Sequence, residues 1–262
     1  NGLATLLQNH LGRYEEAETA YRKAIALDEK FAPPWAGLGT LLQDHLGRYA
    51  EAEAAYRQAI ALDEEYAAPW NNLGTLLQDQ LDRNKEAEGA YRQAIALDKN
   101  DPYPLTNLAL QLWTQNRLPE AKDLFSQAAS LANKQQAHHL QIQAHLCLNN
   151  QQLALQALDA LAAQAQQGNA MANFRLREQV WETHQLGLAE RLADWMQQSP
   201  HALYLQPFVQ ALYTLSGADT KLQDLPEEVQ CASDAVVAAA RQQLAKRINH
   251  QPLASVCLPP AT

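Results

Sequence analysis

Residues 35–69 read WAGLGTLLQDHLGRYAEAEAAYRQAIALDEEYAAP, and residues 70–104 read WNNLGTLLQDQLDRNKEAEGAYRQAIALDKNDPYP, identical at 23 of 35 positions. A third copy opens the chain, at NGLATLLQNHLGRYEEAETAYRKAIAL. This tandem period constrains the fold more than any other feature. A unit of that length cannot bury an apolar face by itself. Copies do so by stacking on their neighbours, which builds a solenoid.

Each unit carries two apolar stripes at helical spacing. Leu38 and Leu42 lie four apart on one helix; Ala52, Tyr56 and Ala59 form the facing stripe of a second. Gly39 is placed to let the second helix approach closely, and Gly47 suits the turn between them. The composition is helical: rich in Ala, Leu and Gln, 47% hydrophobic, with few β-branched runs and only 10 Gly.

The succession Trp35, Leu38-Gly39, Leu42, Gly47, Tyr49, Ala52, Tyr56, Ala59 resembles the tetratricopeptide repeat. The spacing departs from that family in one respect: it is 35 residues rather than about 34. The extra residue falls in the inter-helix turn Asp44-His45-Leu46-Gly47. The proline that usually closes the second helix is missing, and Pro34, Pro69 and Pro104 precede the next helix instead. The resemblance implies an all-α fold, an α-solenoid of antiparallel helix pairs wound as a right-handed superhelix, with degenerate C-terminal repeats or a cap.

About four units are expected over 1–138, the first truncated. The fourth, from Leu105, has lost the extra turn residue and has Leu105 in place of Trp. Residues 139–250 read as degenerate helical repeats and capping helices, with pairs around Asn149-Asn150 and Gln185–Gly187 and a last helix from about Pro226 to Asn249. Residues 251–262 read as a tail or linker. A separate helical domain over 140–262 is the open alternative. A start at Asn1, inside a repeat, suggests a piece of a longer protein.

Formal net charge is −9, which argues against nucleic acid as a main partner. Most of it, −7, lies in residues 1–104. That charge keeps outer helical faces soluble or attracts a basic partner. Cys147, Cys231 and Cys257 form no framework and no CxxC pair, which suits a reducing, cytoplasmic setting. No apolar run approaches ~18 residues, so no membrane span is expected.

The chemistry-bearing residues do not converge. His138 and His145 are seven apart on one helical face, but no acidic ligand accompanies them and no HExxH occurs. His145 and Cys147 are two apart and point to different faces, a poor nucleophile–base pair. His10 and His45 share a repeat position and could stack, a pattern that Gln80 breaks. No GxSxG, P-loop or GxGxxG is present. No catalytic residue, cofactor or metal is therefore expected within the chain. Glu18/Arg22, Glu53/Arg57 and Glu88/Arg92 read as i,i+4 surface pairs. Trp35 and Trp70 are expected to be largely buried between units, with Phe31 and Tyr66 sealing the joints.

The function that the resemblance implies is protein–protein interaction, as a scaffold or regulatory module of bacterial type. In the family the first helices line a groove. The matching positions are Thr40, Gln43 and Asp44 (with Ala36 and Gly37) in the second unit, and Asn72, Thr75, Gln78 and Asp79 (with Asn71) in the third. The fourth gives Asn107, Leu110 and Trp113 (with Thr106 and Thr114), the first Asn1, Gly2, Thr5, Gln8 and Asn9. Asn72 and Asn107 hold the position at which relatives use an asparagine to clamp a peptide backbone; Gly2 and Gly37 break that ladder. Leu110 and Trp113 offer an apolar anchor, and Asp44 and Asp79 favour a basic residue. No Lys or Arg lies at these positions, so a C-terminal carboxylate is a poor ligand. The partners expected are a protein or peptide and other domains of the same protein. Two other roles stay open: the substrate-recognition arm of an enzyme whose catalytic domain lies elsewhere, and the sensor region of a multidomain bacterial effector.

Overall fold

The computed structural model describes residues 2–11, 13–218 and 227–248. Asn1, Pro226, Asn249, Cys257 and the whole of 251–262, about which the sequence raised expectations, lie outside the described residues. Fourteen helices, and no strand, lie among the described ones. They are α1 Gly2–Leu11, α2 Tyr14–Leu27, α3 Ala32–Asp44, α4 Tyr49–Leu62, α5 Ala67–Asp79, α6 Asn84–Leu97, α7 Pro102–Thr114 and α8 Leu118–Lys134. After these come α9 His138–Cys147, α10 Gln151–Gln166, α11 Ala170–Gln185, α12 Ala189–Met196, α13 Ala202–Ser216 and α14 Glu227–Ile248. The all-α solenoid class expected from the repeat is what the chain adopts. The chain divides into two compact units, 1–111 and 112–262.

In the first unit each repeat is one helix pair: α1 with α2, α3 with α4, α5 with α6. Each second helix then meets the next first helix, and α3 lies beside α5. The pairs close around residues the period marked: Leu38, Leu41 and Leu42 face Ala52, Tyr56 and Ala59, all buried, and the third repeat copies this with Leu73, Leu76, Leu77, Ala87, Tyr91 and Ala94. Gly39 and Gly74 are the fit points. A Cβ at Gly39 would stand 2.6 Å from the Tyr56 ring, and one at Gly74 2.7 Å from the Tyr91 ring. The close approach is thus made to an aromatic side chain rather than to the helix backbone.

The turns explain the 35-residue period. Before the second helix, Arg13, Arg48 and Arg83 donate their N–H to carbonyls six residues back, Leu7, Leu42 and Leu77, at 3.0, 2.9 and 2.8 Å. Arg117 and Asn150, after the period has shortened, reach five residues back, to Leu112 and His145. The residue two places before the second helix is left-handed in four of these turns: Gly47 (φ 64°), Asp82 (51°), Asn116 (60°), Asn149 (58°). Asp and Asn tolerate this conformation better than other residues with a Cβ, so glycine is needed in only some copies. Pro34, Pro69 and Pro104 do not precede the first helices; they sit inside their first turns and are buried. First-turn N–H groups lack helical acceptors in any case, so proline costs nothing there.

Two expectations about the joints change. Trp35 and Trp70 are half-buried, not largely buried. Trp35 packs with Leu62 and Tyr66 on Ala32, Ala36 and Ala59, and the Trp70 indole reaches the Glu64 carbonyl at 3.4 Å. The joints are lined by alanines, so a large indole spans them and keeps one edge outside. Tyr66 does seal its joint, whereas Phe31 stays 47% exposed.

In the second unit α8, α9 and α10 pack in sequence, α11 lies against α9, α10, α13 and α14, and α12 pairs with α13. Phe125, Ile142, Leu146, Leu212 and Tyr213 are among its enclosed side chains. Ala189, Ala193 and Met196, read as a second-helix stripe, are buried on α12.

Candidate partner-binding face

The first-helix face of the first unit is floored by tyrosines from the second helices. Tyr21, Tyr56 and Tyr91 pass under their own first helices and surface beneath a threonine: Tyr21 Oη lies 3.3 Å from Thr5, Tyr56 Oη 3.3 Å from Thr40, and Tyr91 Oη 3.3 Å from Thr75. Tyr21 also donates to Gln8 (3.2 Å), and Tyr56 to Gln43 (3.1 Å). Burial pushes the Tyr56 phenol well above its usual range, with a smaller opposing effect from Thr40, so it stays a donor. The period therefore sets the height of the polar floor as well as the core.

On that floor a chain of side-chain hydrogen bonds crosses three first helices. Asn107 Nδ2 on α7 donates to Asn71 Oδ1 on α5 at 3.0 Å. Asn71 Nδ2 reaches Asn72 Oδ1 at 3.4 Å, and Asn72 Nδ2 reaches Thr40 Oγ1 on α3 at 3.4 Å. Asn72 and Asn107 are half-buried, as are Thr40, Gln43, Thr75, Gln78 and Leu110. Thr40 and Thr75 each turn their hydroxyl back to a carbonyl four residues earlier, Ala36 and Asn71. Asn71, one place earlier in the repeat, is the link that pairwise reading of the sixth position misses. Its signal is the Asn-Asn doublet at 71–72.

Not every groove position opens onto the face. Ala36 and Thr106, at the fifth position, are buried; the Thr106 hydroxyl bonds to the Pro102 carbonyl. Gly37 has no side chain because Tyr21 takes the room: a Cβ there would stand 2.5 Å from its ring. At the far end of the helices, Gln78 Nε2 donates to Asp79 at 3.4 Å, while its own Oε1 is buried without a partner. Asp44 sits at the rim; desolvation raises its carboxyl above the usual range, and neighbouring His45 pulls it partly back. His45 stacks on Tyr14 at 4.2 Å; the His10 side chain, its expected companion, lies outside the described residues. Trp113 belongs to the second unit, where it is half-buried and edge-on to Phe125 at 6.2 Å.

The opposite, second-helix side carries the charge. Arg48 holds Glu18 of the preceding repeat at 2.8 Å and Glu51 of its own at 2.6 Å. Arg83 repeats this with Glu53 (2.8 Å) and Glu86 (2.7 Å). Arg22 and Arg57 close each group from the other side, at 2.8 and 2.9 Å to Glu18 and Glu53 and 3.5 Å to Glu51 and Glu86. The expected i,i+4 pairs are thus parts of networks that bind one repeat to the next. The turn arginine supplies the link, and its recurrence every 35 residues is the legible signal. Burial pushes the Glu18 carboxyl up, but hydrogen bonds from Arg22 and Arg48 outweigh this and hold it below the usual range.

In the second unit, Cys147 is buried and desolvation pushes its thiol up to about 12, with Arg191 opposing weakly. Desolvation also lowers His145 and lowers His139 to about 4. These groups are neutral at physiological pH. Among the described residues, no three His, Cys, Asp or Glu side chains are grouped to hold a metal ion, and no helix is long and apolar enough to cross a membrane.

Comparison with known proteins places this architecture. Residues 45–81 match a family model described as "TPR repeat", and residues 3–31 and 67–101 match one described as "Tetratricopeptide repeat". No curated protein matches the chain. Solved structures with similar folds include MamA, 21% identical over 56% of this chain and 84% of that one, with a TM-score of 0.45. Another is YrrB, titled a TPR protein with an unusual peptide-binding site, at 24% identity, 68% and 89% coverage and a TM-score of 0.43. A third, from the APC/C hetero-tetramer Cut9-Hcn1, is 17% identical with a TM-score of 0.50; it covers 90% of this chain, which spans 44% of that one. The helix pairs and the fit of glycine to tyrosine agree with these matches, and residues 3–31 and 45–101 are built as tetratricopeptide repeats.

Proposed function

We propose that the first-helix face of the first unit receives an extended segment of a partner protein, and that the chain is a scaffold rather than an enzyme. The observation that supports this most is the hydrogen-bond chain Thr40–Asn72–Asn71–Asn107 across α3, α5 and α7. Each amide held in it gives one N–H to the chain of bonds and has a second to offer. Side-chain amides offer a peptide group both a donor and an acceptor without reading its side chain. Their mutual bonds hold them in place beforehand, which lowers the entropy cost of binding. Leu110, half-buried on the next turn of α7, supplies an apolar contact. Asp44 and Asp79 draw a basic residue toward the other end, mainly through association rate and salt dependence. The buried Cys147 and the unpaired Cys231 support a reducing, cytoplasmic setting. Residues 139–250 are read as degenerate repeats continuing the array.

The test is titration of the partner against the parent chain and the Asn72→Ala/Asn107→Ala variant. Loss of two hydrogen-bonding groups should cost about 2 kcal/mol, roughly thirtyfold in Kd, with little change in melting temperature. Unchanged affinity would refute the clamp.

A further inference from the structure

In the second unit the turn arginine recurs once, as Arg117 paired with Glu120 at 2.7 Å, and a cleft lies at the seam after it. Each network uses four repeat positions: the residue before the second helix (Arg48, Arg83), three residues on (Glu51, Glu86), and two places on the preceding second helix (Glu18 and Arg22, Glu53 and Arg57). At the seam between α8 and α10 those positions hold Asn150, Leu153, Lys122 and Ser126. No pair of this set can rebuild the network. Ser126, Asn150 and Leu153 instead line a cleft of about 540 Å³, floored by α9. That volume falls within the range of roughly 300–1,000 Å³ typical of ligand sites.

The cleft is furnished with neutral hydrogen-bonding groups. Gln141, 6% exposed, accepts at its Oε1 from His138 Nδ1–H at 3.3 Å and donates to Asn133 Oδ1 at 3.2 Å. His145, one turn further along the same face, has its Nδ1 buried with no partner. Among the described residues, no side chain lining the cleft is an Asp, Glu, Lys or Arg, and none is a Phe, Tyr or Trp. A charged occupant would lose hydration with no countercharge. A ligand held by ring stacking would find no aromatic platform other than imidazole. What remains is a chain of amides and hydroxyls over Ala and Leu, the complement of an uncharged polar peptide.

We infer that the seam between α8 and α10 is a second docking site, and that it takes an uncharged Ser-, Asn- or Gln-bearing segment of a partner polypeptide. An amide of that segment satisfies His145 Nδ1, and its main chain runs along the seam beside Ser126 and Asn150. The site shares no residue with the Asn72–Asn107 clamp.

The test uses the full chain, labelled with 15N, and a set of end-capped peptides of about eight residues drawn from Ser, Asn, Gln, Ala and Leu, with matched versions carrying two Lys or two Asp. Uncharged peptides should shift amide signals of residues 138–157, and the charged versions should bind at least about tenfold more weakly. Ser126→Arg/Leu153→Glu rewrites two network positions and closes the seam. It should abolish those shifts without lowering the melting temperature. His145→Leu, which keeps the packing, should weaken binding about tenfold. Asn72→Ala/Asn107→Ala should leave it unchanged, which separates this site from the first-helix clamp. The inference is overturned if no uncharged peptide shifts these signals, if charged versions bind equally well, if both cleft variants bind like the parent, or if zinc alone shifts them.

Discussion

Gly74 and Gly89 lie in one repeat and demand opposite outcomes from the same substitution. A Cβ at Gly74 would meet the middle of the Tyr91 ring, which is 1% exposed and cannot swing away. Gly74→Ala should therefore destabilise by about 1–3 kcal/mol, as overpacking does. Gly89, on the exposed side of α6, has nothing within 4 Å of its Cβ position. Gly89→Ala should stabilise by about 0.5–1 kcal/mol through helix propensity. Chemical denaturation of the two variants checks both signs at once. Trp35 belongs to the same scale. Being half-buried, it should cost about 2 kcal/mol as Trp35→Ala, less than the 3–5 kcal/mol of a fully enclosed aromatic. The sequence pointed to a close approach at Gly39, because only glycine omits a Cβ. It could not show that an aromatic ring arrives there, because Tyr56 and Tyr91 read equally well as ordinary core residues.

Helices and turns were legible nearly to the residue, because one pattern is written three times. The ion networks were legible only in part. Pairs within a helix follow from i,i+4 spacing, whereas Arg48 to Glu18 joins residues 30 apart and depends on how one second helix lies beside the next. These networks make stability depend on acid. Glu18 is held below its usual value by Arg22 and Arg48 despite the opposing effect of burial, and Glu51 and Glu86 are held below theirs first of all by Arg48 and Arg83. A carboxylate depressed in the folded state adds stability that is present in full above its unfolded value, about 4.3. That stability is lost as pH falls through the lower, folded value. The melting temperature should therefore hold from pH 7 to about 5 and drop below about 4.5. Glu18→Gln should cost about 0.5–1 kcal/mol at neutral pH and make the acid drop shallower. Added salt should reduce the difference between parent and variant. Identical acid profiles would mean that the network contributes nothing.

For the molecule as a whole, the fold class followed from the period, since only stacked units bury such a pattern. The candidate face followed less directly. Thr40, Asn72, Thr75 and Asn107 do share one face of the first unit, yet Asn71 proved to be the link between helices, and Ala36 and Thr106 turned inward. A single asparagine per repeat can be read from spacing; a bond between asparagines on neighbouring helices needs their separation, which no sequence states. Docking of a partner on the first-helix face can be tested in place. Its most direct test places a photo-crosslinking amino acid at Thr75, on that face, or at Gln93, on the exposed side of α6, in the parent protein within its own cells. A partner adduct should form at Thr75 and disappear in the Asn72→Ala/Asn107→Ala background, with none of that mass at Gln93. An adduct of the same partner at Gln93 with none at Thr75 would contradict it.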